Sequence, residues 1–223
     1  KIWEDTWPFE YKGKFWDVEK PDTMYGTLKF WLTPYQKPHP PIGVASLSYK
    51  SPSLIMAGEK GFIPLTLAFN TDYVRSHWEA VEEGAQKSGK TPSRKDWRIV
   101  RDVYVADTDE EARAAAVNGM TGRVWNDYLL DLFRQFDLMP IFKHDPEVPD
   151  NAVDIKYLAD HMWLVGSPET VSRKIRTLYN DVGGFGSLTT MVFDQSDNQK
   201  GWERSMRLMA EEVIPSLSDL VPA

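Results

Sequence analysis

The sequence predicts an α/β protein built on a parallel sheet, and three observations carry that expectation. Four short β-prone segments, at 42–45, 62–68, 97–106 and 188–193, recur between stretches of helical period. Each is nearly unbroken in apolar character, as in strands covered on both faces. Each pair of neighbours is separated by enough chain for a helical crossover, which parallel pairing requires. A doubly wound sheet and a β/α barrel both produce this rhythm.

Residues 1–40 stand apart as irregular and aromatic. KIWEDTW reads as the end of a helix. EYKGKFWDVEK alternates about Gly13, with Tyr11, Phe15 and Val18, and predicts a short hairpin. PYQKPHPP (34–41) carries too many prolines for regular structure and delivers an extended chain to the first apolar strand.

The first strand leads through SLSYKS to helix PSLIMAGEKG, with Pro52 in its first turn and Gly61 past its end. The second leads through Asn70-Thr71-Asp72 to a helix ended at Gly89, with Asn70 or Thr71 as the expected cap. After the third, Thr108 or Asp109 caps a long helix that Gly119 and Gly122 are placed to divide. Residues 138–161 have no clean period and read as an insertion holding one short helix at 151–160. A helix at 168–182 and the cluster Gly183-Gly184-Phe185-Gly186 precede the fourth strand. A last helix aligns Trp202, Met206, Met209 and Val213 on one stripe.

Several chemistries are excluded or unsupported. With no cysteine there are no disulfides, thiolate metal sites or thiol nucleophiles, which fits a reducing compartment. A net charge of −7 with interspersed signs gives no nucleic-acid footprint, and no apolar run is long enough to span a membrane. The dinucleotide fingerprint, P-loop, nucleophile elbow and HExxH are all absent. His39, His77, His144 and His161 show no metal-ligand spacing. His77, mid-helix beside Trp78, reads as a packing or surface residue. His144 and His161 bracket the insertion, a candidate lid.

Polar residues at the ends of strands are the candidates for function, because barrel sites form there. SLSYKS places Ser46, Ser48 and Ser51, with Tyr49 and Lys50, before a helix N-terminus that favours an anion. Phosphate binding and plain serine capping both fit that pattern. Arg98 and Arg101 lie on or near the third strand, with Arg101 set low for a ligand. Asp194, at the end of the fourth, suits a ligand bond or a turn cap.

Five blocks in order carry a resemblance over nearly the whole chain: KIWEDTWPFEYKGKFWDVE, PYQKPHPPIGVASLSYKSPSLIMAGEKGFIPL, WRIVRDVYVADTDEEAR, VGSPETVSRKIRTLYNDVGGFGSLTTMVFD and WERSMRLMAEEVIPSL. They resemble the C-terminal part of the bacterial luciferase-like, flavin-dependent monooxygenases, with the limonene-type branch as the nearest in appearance. The resemblance implies a (β/α)8 TIM barrel of which this chain holds strands 5–8 in one domain over 1–223. An upstream segment or another chain would supply the rest. It further implies reduced FMN from a separate flavin reductase, with a deazaflavin as the rarer alternative. O₂ would react through a C4a-peroxyflavin on a small apolar substrate, in a cytoplasmic homo-oligomer with no membrane or nucleic-acid partner. Ser48 and Ser46, then Tyr49 and Lys50, become the expected flavin-phosphate contacts, while catalytic residues would come from the first half. Asp194 stands where many relatives carry His, so no role is carried over to it. The GGFG cluster becomes architectural, on the side of its strand away from chemistry.

Overall fold

A computed structural model describes Trp3, residues 9–29 and residues 34–220. The expected helix end in KIWEDTW lies, apart from Trp3, outside the described residues. The chain resolves into two compact units, Lys1–Ile42 and Gly43–Ala223.

The first unit holds two small antiparallel ladders. β1 (Phe9–Lys12) pairs with β2 (Asp17–Lys20), with Tyr11 opposite Val18, which is the hairpin predicted about Gly13. A second ladder, β3 (Thr23–Met24) against β4 (Leu28–Lys29), is too short for its sequence to announce.

The second unit carries a parallel sheet. β5 (Gly43–Ser46) pairs with β6 (Ile63–Thr66), and β6 pairs with β7 (Arg98–Val105). β9 (Ser187–Met191) lies parallel to the first part of β7, with Arg98 opposite Ser187 and Asp102 opposite Met191. The four predicted strands are therefore parallel and adjacent in the expected order, one arc of a β/α barrel. A fifth strand, β8 (Leu164–Gly166), is not among the predicted ones: it pairs with Val103–Val105 and is only three residues long. Among the described residues, β5 pairs only with β6 and β9 only with β7.

Helices cover one face of the arc. α1 (Pro52–Lys60) and α2 (Thr71–Lys87) approach closely because Gly58 and Gly84 sit where they meet. A Cβ on Gly58 would lie 2.0 Å from the Val81 carbonyl oxygen, and one on Gly84 1.8 Å from that of Ile55. Leu54, Val74, Trp78 and Val81 then pack with Trp97 and Ile99 at the foot of β7. Further up the same strand, Val103 and Val105 pack with α7 (Pro168–Val182) and α8 (Gln199–Leu208).

The long helix after β7 is divided as its glycines predict. α3 (Asp109–Asn118) ends at Gly119; α4 (Met120–Val124), a π-helical turn and α5 (Leu130–Gln135) follow. Thr108 caps α3 by accepting from the Glu111 N–H at 3.1 Å. The insertion folds as short 3₁₀ turns and α6 (Ile155–His161), a few residues beyond the predicted helix. Its Met139, Ile141 and Phe142 are buried with Phe69, Trp125 and Trp163. The stripe expected on the last helix is partly displaced: Ser205, Leu208 and Val213 are buried, whereas Met206 is 48% exposed.

The GGFG cluster is a helix-to-strand reversal. Gly183, at φ +78°, ends α7 in the left-handed conformation. Gly186 then presses on the backbone before β7: its N–H donates to the Trp97 carbonyl, and a Cβ would stand 1.8 Å from the Lys95 oxygen. This is the entry side of β9, opposite the strand ends that form barrel sites.

Candidate functional site

The site is built where β5 runs into α1. Along β5, Gly43 and Ala45 point to one side and Val44 and Ser46 to the other, by the two-residue period of a strand. Val44 packs against the α1–α2 cluster, so Ser46 also faces the helices, and it is buried. Beyond it the chain emerges: Ser48, Tyr49 and Lys50 are all exposed. Lys50 takes φ +46°, an uncommon left-handed position for a side-chain-bearing residue.

Serine capping does not account for the three serines. Ser51 is the N-cap of α1 and makes no side-chain capping hydrogen bond. Pro52 occupies the first turn, and the Leu54 and Ile55 N–H groups reach back to the Ser51 carbonyl. Ser48 is left exposed.

What fixes this exposed turn is α2. The Lys50 N–H donates to the Ser76 hydroxyl at 3.1 Å, and that hydroxyl donates to the Tyr73 carbonyl at 2.7 Å. Tyr49 meets Tyr73 edge to face at 5.3 Å, and the Lys50 ammonium lies 5.7 Å above the Tyr49 ring. Beneath them runs a buried relay. His77 Nε2 lies 2.9 Å from the Ser48 carbonyl and Nδ1 lies 3.0 Å from Thr66 Oγ1, which also accepts from Trp97 Nε1 at 2.9 Å. A carbonyl only accepts, so Nε2 carries the proton and Nδ1 accepts from the Thr66 hydroxyl. Every polar group in the chain Trp97–Thr66–His77–Ser48 is then satisfied. Burial pushes the His77 imidazole down to about 4, against the bond to Ser48, and Arg101 pushes the same way; it is neutral at physiological pH. Of the two roles read for His77 in the sequence, packing is the one it has. The hydrogen bond across 29 residues had no signal there.

The other strand ends are arranged locally. Asn70 caps α2 by accepting from Asp72 and Tyr73 N–H groups, and its amide donates to the Lys143 carbonyl at 2.5 Å. That last contact moors the insertion. Asp194 accepts from the Ser196 N–H at 2.9 Å, a turn within its own loop that holds its carboxyl below the usual range. His144 and His161 stack on each other at 4.1 Å with Tyr157 beside them, drawn together by α6.

β7 carries adjacent buried charges on opposite faces. Arg101 faces the helices and donates to the carbonyls of Ala68, Val100 and Phe69. Asp102 faces the other way, with neither carboxyl oxygen in hydrogen-bond geometry and the Trp125 and Trp163 indole N–H groups equally unpartnered. Burial pushes Asp102 up to about 7, and the nearby Trp125 indole and Arg101 offset this only in part. Among the described residues no group of three or more His, Cys, Asp or Glu could hold a metal ion.

A parallel β/α arc with an exposed turn of hydroxyl, aromatic and lysine side chains at the C-terminal end of β5 has the architecture of a β/α-barrel protein, in which sites form at that end. The luciferase-like monooxygenase family profile matches residues 1–184, and the chain belongs to that family. It is 34% identical to 3,6-diketocamphane 1,6-monooxygenase of Pseudomonas putida, over 97% of this chain and 59% of that one. It is 30% identical to limonene 1,2-monooxygenase of Rhodococcus erythropolis over 80% of this chain and 44% of that one. Its structure matches the oxygenating constituent of the P. putida 3,6-diketocamphane monooxygenase, a type II Baeyer–Villiger monooxygenase solved with FMN. The TM-score is 0.83 at 34% identity, covering 96% of this chain and 59% of that one. An F420-dependent secondary alcohol dehydrogenase, at 19% identity and a TM-score of 0.60, shares the fold. The chain thus spans about three-fifths of the length of the diketocamphane relative. No helix among the described residues is long and apolar enough to cross a membrane.

Proposed function

We propose that this chain is the flavin-phosphate-binding portion, strands 5–8, of a flavin-dependent monooxygenase that oxygenates a small apolar ketone. The observation that carries the reading is the 34% identity along nearly the whole chain to a monooxygenase solved with FMN. FMN is favoured over a deazaflavin because the F420-dependent likeness falls to 19%. The strand edges left unpaired among the described residues support completion of the barrel by an upstream segment or a second chain.

The residues present fit a flavin phosphate. Ser48 offers an exposed hydroxyl, Lys50 a positive charge, and the first turn of α1 the Ser53 N–H, since Pro52 has none and Leu54 donates to the Ser51 carbonyl. Tyr49 walls the turn against Tyr73, while Ser46, the other serine expected at the phosphate, is buried at the end of β5. Because the Ser48 carbonyl is held by His77, the turn is set before any ligand arrives, which lowers the ordering cost of binding.

Reduced FMN, supplied by a partner reductase, brings the oxygen-activating chemistry. In the Baeyer–Villiger balance one oxygen atom of O₂ enters the bond between carbonyl carbon and neighbouring carbon. The other leaves as water, and the flavin is oxidised by two electrons. The protein's part is to position the flavin and exclude water. The test incubates the complete protein with reduced FMN, isotopically labelled O₂ and a bicyclic terpenoid ketone. One labelled oxygen atom in a lactone product is expected. Flavin oxidation without labelled product across a panel of ketones, with hydride transfer to F420 instead, would overturn the reading.

A further inference from the structure

On the helix-covered side of the arc, a cavity of about 360 Å³ opens between α6, α7 and the start of α2, and the 46–50 turn contributes nothing to its lining. Its floor is Arg101, 2% exposed, and its walls include Lys174, Arg173, Thr71 and Thr177. Arg101 is held rigidly: Nη1 donates to the Ala68 and Val100 carbonyls at 2.8 Å each, and Nη2 to that of Phe69 at 3.2 Å. The guanidinium also lies 4.8 Å over the Phe69 ring. Lys174, half-buried, gives its ammonium to the carbonyls of Ala159, Trp163 and Val165.

Neither cation has a salt-bridge partner among the described residues. Carbonyl oxygens satisfy donors, but they do not cancel a net charge, and an unpaired buried charge is costly. Asp102, next in sequence, points to the opposite face and acts on Arg101 only through space, against the larger effect of burial. Two carboxylates do line the cavity, Asp160 and Asp181, but Asp160 is already held by a two-pronged pair with Arg113 at 2.7 and 2.9 Å. Arg101, Arg173 and Lys174 thus line the cavity with two acids, of which Asp160 pairs with Arg113 and also acts on Lys174, and Thr71 and Thr177 stand beside them. Burial pushes Arg101 down to about 9, which leaves it charged at neutral pH.

We propose that this cavity is a second oxyanion site, taking a phosphate-sized anion between Arg101, Arg173 and the threonine hydroxyls. Arg173 is exposed at the mouth and closes on the ligand, whereas Arg101 supplies fixed charge from below. The anion would join the start of α2 to α7, two elements that already meet through the Arg75 bond to the Asp181 carbonyl at 2.7 Å.

The test is titration of inorganic phosphate into the full chain at constant ionic strength, by calorimetry and thermal melting, in the presence of saturating FMN. FMN occupies the Ser48 turn, so a remaining phosphate signal comes from elsewhere. Saturable binding with a raised Tm is expected. Arg173→Gln should weaken it about tenfold, the loss of one charge-assisted contact, and Ser48→Ala should leave it unchanged. Since Arg101→Gln can fail to fold, Arg173→Gln is the deciding variant. Binding abolished by FMN, or equally strong in Arg173→Gln, would overturn the proposal.

Discussion

The His77 imidazole holds the Ser48 carbonyl at 2.9 Å from the middle of α2, so a helix outside the sheet sets the turn that ends β5. Replacing His77 by Phe keeps a planar ring at the buried position and removes both bonds. The Ser48 carbonyl then loses its donor, and the buried Thr66 hydroxyl loses its acceptor while keeping the Trp97 N–H. Chemical denaturation should show a loss of about 2 kcal/mol. FMN affinity should fall with it, because the turn loses its support.

His77 and Asp102 should make opposing contributions to the pH dependence of stability. His77 titrates near 4 when folded against 6.5 unfolded, so the unfolded chain binds more protons between those values and stability rises with pH. Asp102 is the reverse: its folded value near 7 against 3.8 unfolded makes stability fall as pH rises through that window. A displacement of one pH unit is worth about 1.4 kcal/mol, so each group contributes a few kcal/mol. The two offset one another between about pH 4 and 6.5. Asp102→Asn should therefore uncover acid destabilisation in melts over that range. A flat profile in the variant would contradict this account of His77.

The mooring of the insertion on Asn70 is also measurable. Asn70→Ala removes the α2 cap and the bond to Lys143 together and should cost about 1–2 kcal/mol. Amide exchange should quicken through Met139–Phe142, where Ile141 accepts from the Phe69 and Asn70 N–H groups. Unchanged exchange there would mean that burial alone holds the segment.

Close approach at Gly186 sets its own test. Gly186→Ala places a methyl group against the Lys95 carbonyl and should destabilise by several kcal/mol, of the order seen for overpacked or strained sites. Gly89, at φ +66° with open space around it, should accept Ala for about 1 kcal/mol. Comparable losses at both would contradict the architectural reading of the glycine cluster.

These cases also show how far the chain can be read unaided. Val44, Ile99 and Val103 announce their strands because apolar runs report burial whatever the partner, and Asn70, Thr108 and Gly183 announce helix ends because their chemistry is local. β8 is hidden because three residues carry no period. Met206 is misplaced because the α8 stripe turns on Ser205, a polar residue whose hydroxyl accepts from the Val105 N–H across 100 positions. The Ser48 turn is visible as a serine-rich loop, but composition alone does not separate capping from ligand binding. His77 is invisible as its support because that bond depends on how α2 lies against β6, which only the folded chain specifies.

The central claim, that the Ser48 turn holds a flavin phosphate, is tested most directly by titrating FMN and riboflavin against the complete protein and its Ser48→Ala variant, with a melt of each. A well-made hydrogen bond to a charged group is worth about 1.5–3 kcal/mol. The variant should therefore bind FMN about tenfold or more weakly, with riboflavin affinity and Tm unchanged. Equal losses for the two ligands, or FMN affinity unaltered, would contradict the account.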